Sequence, residues 1–537
     1  MKFASRSVLI LLALYGLVFA VADAYFARSH VPLFWGVMFA VIFVGLQFLL
    51  APFLIQWLLP IYWEDVPQHT TECPQAACDF VRRVCAERGL RMPRIGVIQS
   101  GTPNAFSFGH TPRDGRIVMT TGLIDVLTPD ELNAVLAHEI GHIEHWDMAV
   151  MAVASLVPLV LYQLYVFTRH SNSTRPVAFG AYVTYVVSQF IVLLLNRTRE
   201  YFADHFSAHL TERPDLLASA LVKIAYGMVR AKGATDEIGA CGTAREKQRA
   251  RRLDRLTGSM ALLGISSAAG AQAMSLALAG GGDPRRVMRW DLANPWARIY
   301  ELRSTHPLTA FRLRALARES SAVHSVSQYD VAAERLQWRT FPLQVAIWAL
   351  PIICAVFVVA PEAIRFVLRI RVGIDVPPVL QPSLLIAAGA LWMARVAYRY
   401  RGAFEPATVD ALLDDVEVSE MRPRAVRLEG EIVGRGVPGA FWSSDLVLRD
   451  ATGLMFLLYR QTIPFARFLF AITEAEACIG EHVVIEGWYR RGLRPYVEMS
   501  RLTTGANVIH RTYSRWIQLA LAAAAVVIGW MWLNGVS

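Results

Sequence analysis

The stretch LNAVLAHEIGHIEHWD, residues 132–147, decides how the rest of the chain is read. On an α-helix, residues four apart share a face about one turn apart. His138 and His142 therefore point the same way and can hold one metal ion between them. Glu139, one step round, can face a water bound to that ion. Two imidazole ligands and a neighbouring carboxylate base form the H-E-x-x-H arrangement of zinc hydrolases. Leu132, Val135 and Leu136 give the run before it a helical apolar face. TPDEL at 128–132 supplies a helix start, with Thr128 as N-cap, Pro129 at the first position and Glu131 at the third. The bland alternative is a pair of satisfied histidines on a buried helix.

A zinc hydrolase needs a third protein ligand and an open fourth position. RTREYFADHFSA, 197–208, offers the ligand. Glu200 and Asp204 are four apart and share a helical face. Glu200 can ligate the metal, and Asp204 can accept a hydrogen bond from the far nitrogen of a ligating histidine, which fixes its tautomer. A solvated acidic pair on an exposed helix is the alternative. His145 reads as a charge partner at the helix end, and Asp147 as a group that can orient a neighbour.

HEIGH followed by REYFAD resembles the membrane gluzincins: the HtpX-type heat-shock proteases and their relatives, the CaaX prenyl proteases. The resemblance covers roughly residues 60–320, and HEIGH and ExxxAD are its specific parts. It implies a zincin-like α+β protease domain holding one Zn²⁺ per chain on His138, His142 and Glu200, with Glu139 as the catalytic base. NAFSFG at 104–109 resembles the family's edge strand beside the cleft, which makes Asn104, Ala105 and Phe106 candidate substrate-binding residues. STHPLTAFRLRAL at 304–316 resembles its Thr-His-Pro…Arg signature. By that likeness His306 is a catalytic donor to the oxyanion, and Arg312 orients it or a substrate carboxyl group. The implied substrates are damaged or misassembled membrane proteins, or a prenylated tail in the CaaX branch. Nothing in the chain specifies an isoprenoid pocket.

Composition places this site in a membrane protein. The chain has 537 residues, 54% of them apolar and 18% charged, and a mean hydropathy of +0.36. Apolar runs at 8–22, 31–59, 148–168, 177–195, about 342–360, 379–395 and 515–533 read as seven spans. The first, with its basic start, also fits a signal peptide; an uncleaved helical hairpin over 1–61 is preferred. GSMALLGISSAAGAQAMSLALAG, 258–280, is poor in large apolar residues and reads as a soluble segment. AREKQRARRLDRL, 244–256, reads as a solvated helix near anionic lipid heads. The net charge of +9 comes from arginine-rich stretches between apolar runs, as on the inner side of membrane proteins. No recognisable nucleic-acid module accompanies it, and no nucleic-acid partner is expected.

The expected organisation is an N-terminal transmembrane hairpin (1–61), then a protease domain (62–340) interrupted by a second hairpin (148–195). A third hairpin (341–400), a small β-barrel domain (401–512) and a last span (513–537) follow. In the protease domain, CPQAACDFVRRVCAERGL (73–90) reads as an amphipathic helix and RIGVI (94–98) and RIVMT (116–120) as strands. In 401–512, AVRLEGEIVG, SDLVLRD, GLMFLLYR, HVVIEGWYR and PYVEMSRL are short alternating strands, and their spacing suggests an OB-like barrel. OB barrels often bind nucleic acid; a protein-contact or regulatory module held at the membrane fits this one at least as well. The six cysteines show no disulfide framework, and on the inner side they stay reduced.

The fold class is thus a multi-pass α-helical membrane protein with a zincin-like α+β metalloprotease domain and a C-terminal OB-like barrel. It sits in an inner or plasma membrane with the catalytic domain cytoplasmic. The partners are the lipid bilayer and a peptide or membrane-protein substrate. The loop 361–378, with Arg365, Arg369 and Arg371 on the outer side, counts against this topology. An intramembrane protease of the site-2 type also carries HExxH, but Asp130, Glu131, His145 and Asp147 crowd the motif too closely for bilayer burial. A non-catalytic scaffold working through its barrel remains the other class.

Overall fold

The computed structural model describes residues 33–65, 73–169, 174–225, 283–322, 338–359, 379–435, 443–492 and 494–535. The apolar run 8–22, the segments 244–256 and 258–280 and the loop 361–378 lie outside the described residues. The chain divides into two compact units: residues 1–275 with 299–332, and residues 276–298 with 333–537.

In the first unit, α1 (Leu33–Leu58) carries no charge and is apolar but for Gln47 and Gln56. Strands β1 (Tyr62–Trp63), β2 (Arg94–Ile98), β3 (Ala105–Phe108) and β4 (Arg116–Thr120) form one sheet in the order β1-β2-β4-β3. β2 and β4 are parallel and β3 is antiparallel to β4. Helix α2 (Gln75–Arg88) turns Ala77, Phe80, Val81 and Val84 inward at helical spacing. A short helix, α3 (Thr121–Val126), then leads to α4 (Pro129–Glu144), which carries HEIGH.

The start of α4 is the capping box its sequence foretells. Thr128 Oγ1 accepts from the Glu131 backbone N–H at 3.4 Å, and Glu131 Oε2 accepts from the Thr128 N–H at 2.8 Å. Glu131 also accepts from Ser219 Oγ at 2.6 Å and Lys223 Nζ at 2.8 Å. Two apolar helices follow, α5 (Asp147–Thr168) and α6 (Arg175–Thr211), and later α7 (Thr309–Ala322). The apolar run of α6 ends at Leu195, yet the helix continues unbroken to Thr211. No glycine or proline stands between them, so backbone hydrogen bonding carries on while the side chains turn polar. At 1.5 Å per residue the helix is about 55 Å long.

The second unit contains α8 (Phe341–Val359), α9 (Leu380–Arg399) and a barrel. The two-residue β5 (Glu405–Pro406) lies parallel to β6 (Arg424–Arg435). β7 (Leu446–Arg449) and β8 (Leu454–Leu458) continue the sheet, followed by helix α10 (Pro464–Thr473). β9 (His482–Arg491), β10 (Pro495–Thr504) and β11 (Ile509–Arg511) lead into α11 (Ser514–Leu533). The sheet closes in the order β6-β7-β8-β10-β9-β6, with β8 and β10 parallel. These five strands coincide with the five alternating runs of the sequence. Helix Pro284–Ala293 packs in this unit, where Trp290 Nε1 donates to Val418 O at 2.6 Å. α9 and α11 approach closely through small residues: a Cβ on Gly389 would meet Ala522 O at 2.7 Å.

Six helices among the described residues are long and apolar enough to cross a membrane: 34–58, 147–168, 177–211, 338–359, 380–399 and 514–533. Their outer faces keep large apolar side chains exposed, Val153, Ile191, Val356 and Ile528 among them. That is costly in water and neutral in lipid.

Candidate active site

α4 and α6 cross where each carries its polar residues. Gly141, inside HEIGH, permits the crossing: a Cβ there would sit 3.2 Å from the Phe206 ring. Ser207 Oγ on α6 donates to Ala134 O on α4 at 2.6 Å and pins the crossing. His138, His142 and Glu200 meet at this point, with one ligand atom from each lying within 4.8 Å of the others. His138 Nε2 and His142 Nε2 are 3.1 Å apart. Glu200 stands 3.9 Å from the first and 3.7 Å from the second.

The outer side of each imidazole is occupied by a carboxylate. His142 Nδ1 faces Asp147 Oδ2 at 2.5 Å, and His138 Nδ1 faces Asp204 Oδ1 at 3.1 Å. A carboxylate at Nδ1 keeps the proton there and turns the Nε2 lone pair inward. The carboxylates are held in turn. Arg312 on α7 grips Asp204 with both arms, Nε to Oδ2 at 2.8 Å and Nη2 to Oδ1 at 2.6 Å, the fork geometry of strong Arg–carboxylate pairs. Its Nη1 is 3.4 Å from Glu200 Oε2. Burial works against the Arg312 charge, but the Asp204 and Glu200 carboxylates outweigh it and keep the guanidinium protonated. Arg199 holds Asp147 twice, through the side chain at 2.7 Å and the backbone carbonyl at 2.6 Å.

The site fits a zinc ion on its own geometry. Two nitrogens bound to one tetrahedral zinc at about 2.0–2.1 Å stand roughly 3.3 Å apart, close to the spacing of the two Nε2 atoms. With the proton of each ring held at Nδ1, the two Nε2 lone pairs face each other, an arrangement that a cation between them satisfies. Glu200 Oε2 is buried and accepts no hydrogen bond. Glu139 is 3% exposed and lies next to His138 along α4.

The other residues singled out in the sequence fall around this centre. His306 Nδ1 lies 3.2 Å from Glu200 Oε1, so His306 stands against one of the three residues that could hold a metal. Its loop is fixed to α6, where Asn196 Nδ2 donates to Thr305 O at 2.6 Å and Arg197 Nη1 to Glu301 O at 2.6 Å. β3 lies at the sheet edge and packs along α4. Asn104 exchanges hydrogen bonds with Thr120 of β4, backbone N–H to Oγ1 at 2.9 Å and carbonyl to N–H at 3.0 Å. Ala105 is fully buried and the Phe106 side chain is in the core with Ile98, Phe108 and Val118, so within the strand Ser107 is the residue that is partly exposed. His145 stacks edge-on against Phe206 at 5.8 Å and does not join the metal group. Arg199, Asn196 and Arg197 were not foreseen. Their one trace in the sequence is that three polar residues, two of them basic, crowd the end of an apolar run.

Residues 78–320 match Peptidase family M48. The "Protease HtpX homolog" of Methanothermobacter thermautotrophicus is 36% identical over 229 residues, 42% of this chain and 86% of that protein. The "Protease HtpX homolog 2" of Methanosarcina acetivorans is 34% identical over 218 residues, 38% of this chain and 72% of that protein. Among solved structures, the crystal structure of S. mikatae Ste24p aligns with a TM-score of 0.35 and 17% identity, over 58% of this chain and 64% of that one. The family match ends at residue 320, and the barrel lies beyond it.

Proposed function

The chain belongs to peptidase family M48 with the HtpX proteases, and from that premise we propose that it is an integral-membrane zinc endopeptidase acting through Glu139. The carrying observation is the pair of Nε2 atoms 3.1 Å apart, with an aspartate behind each imidazole and Glu200 beside both. His138, His142 and Glu200 are the residues that would hold the zinc. Zinc, when bound, supplies a Lewis acid that brings the pKa of a water to about 7 and polarises a carbonyl.

The chain's own groups do the rest. Glu139 accepts the proton of the attacking water and later delivers it to the departing amine. His306 donates to the carbonyl oxygen as negative charge builds there, through the ring nitrogen turned away from Glu200. β3 takes the substrate backbone as an added strand. In an antiparallel ladder the hydrogen-bonded pairs alternate. With Asn104 bonded to Thr120, the backbone groups turned away from β4 are those of Ala105 and Ser107, and Ser107 is the partly exposed one at which an added strand would begin to pair. Recognition through main chain tolerates many sequences, which suits the removal of damaged or misassembled membrane proteins. The arginine-rich segments favour a cytoplasmic catalytic unit. The closure order, with a helix between the third and fourth strands of a five-stranded barrel, supports an OB-like fold for the C-terminal domain.

Cleavage of an unfolded test protein by the detergent-purified wild type and by Glu139→Gln, with zinc measured on both, tests the reading. One zinc in each and cleavage by wild type alone is expected. Absence of zinc from reconstituted wild type would sink the ligand assignment. Undiminished cleavage by Glu139→Gln would remove the general base.

A further inference from the structure

Helix α10 of the barrel has two apolar faces. Phe470 and Ala471 point inward at 4% and 0% exposure, with Phe470 stacked on Tyr459 at 3.9 Å. Phe465, Phe468, Leu469 and Ile472 recur at the helical spacing i, i+3, i+4, i+7 on the other side, between 46% and 70% exposed. Ile463, just before the helix, adds to them at 55%. Four large apolar side chains on one face of a ten-residue helix, with Ile463 at its entry, make a patch that water disfavours.

Hydrogen bonds hold this helix beside the start of a membrane-spanning one. Thr462 Oγ1 is 3.0 Å from the Oγ of Ser514, the first residue of α11, and Gln461 Oε1 accepts from the Tyr513 N–H at 3.1 Å. The far end is tied to the same approach, Glu474 Oε2 to His510 Nδ1 at 2.6 Å. Tyr513 and Trp516, both more than half exposed, are the aromatic types that settle at headgroup level. Arg515, the second residue of α11, lies over the Trp516 ring at 5.0 Å, so a basic group and an aromatic one stand together at that level.

We propose that α10 is an interfacial membrane anchor: its Phe465–Phe468–Leu469–Ile472 face lies in the lipid at the level where α11 begins, and fixes the barrel to the bilayer surface. Helices that lie in the interface have this composition, large apolar residues toward the acyl boundary and basic ones at the phosphates. The occupant of the patch is lipid, not a protein partner. The patch adjoins the start of α11, a helix long and apolar enough to cross a membrane, so the solvent that this helix needs also reaches the patch.

The test uses the full-length chain in nanodiscs of phosphatidylcholine with phosphatidylglycerol. Phe465→Cys, Phe468→Cys, Trp516→Cys as the lipid-facing reference and Glu429→Cys as the solvent-facing one are each labelled with an environment-sensitive fluorophore. Wild type, labelled in parallel, gives the blank for native thiols. Lipids carrying a nitroxide near the headgroup are expected to quench the labels at 465 and 468 as strongly as that at 516, with the label at 429 unquenched. Quenching at 465 and 468 no greater than at 429 would overturn the proposal, whether the face is then found bare or covered by protein. Leu469→Cys repeats the reading should either phenylalanine variant fail to fold.

Discussion

Asp147 and Asp204 do the same work from opposite ends of the site, and their removal separates orientation from ligation. Asp147→Asn leaves all three ligands in place but gives His142 Nδ1 a partner that no longer demands the N–H tautomer. Zinc affinity, titrated against a competing chelator, is expected to fall about 10–100-fold, while Glu200→Ala loses the metal altogether. Arg312→Leu strands the buried Asp204 and leaves Glu200 short of a cation. Breaking a buried pair from one side costs about 3–5 kcal/mol, and a large drop in melting temperature is expected with and without zinc. The HExxH and ExxxAD sets were legible because both are local: a four-residue spacing fixes a shared helical face before any tertiary structure forms. The grip of Arg199 on Asp147 joins residues 52 positions apart, and no local rule foretells it.

At the scale of the element, the two ends of α4 offer separate tests. Burial pushes the Glu131 carboxyl up, and the hydrogen bonds from Lys223, Ser219 and the Thr128 N–H outweigh it, so its pKa lies below the ordinary 4.5. A lowered carboxylate stabilises the fold above its unfolded pKa and loses that contribution as acid protonates it in the folded state. Wild type should therefore be more stable than Glu131→Gln at neutral pH, and denaturation curves of the two should converge as the pH drops below 4.5. Near the other end, Gly141→Ile pushes a branched side chain into the Phe206 ring. Overpacking of this kind costs about 1–3 kcal/mol, and the strain is expected to appear as weakened zinc retention because α4 and α6 carry the ligands between them. The strands of the barrel were readable from their alternation. Their closure order was not, since the parallel β8–β10 pairing depends on which edges meet after α10 has crossed.

For the whole molecule, the side of the membrane is the open prediction. Arg82 is exposed on α2. Arg82→Cys is expected to react with an impermeant thiol reagent in inside-out vesicles and to be protected in right-side-out ones; the reverse pattern would place catalysis outside. Six of the seven expected spans fall on helices among the described residues, and they were legible from composition because about 20 apolar residues in a row have few other uses. The continuity of α6 was not, because a change in side-chain polarity at Leu195 looks like an ending when only the solvent changes. That continuity makes α6 a lever. One rigid rod joins lipid to Glu200 of the proposed zinc site, so a tilt forced on the rod by a thinner or thicker bilayer also swings that carboxylate. A ligand displaced by even 1 Å is catalytically expensive. Turnover measured in a series of bilayers of graded acyl-chain length is therefore expected to peak at one thickness and to decline on both sides of it.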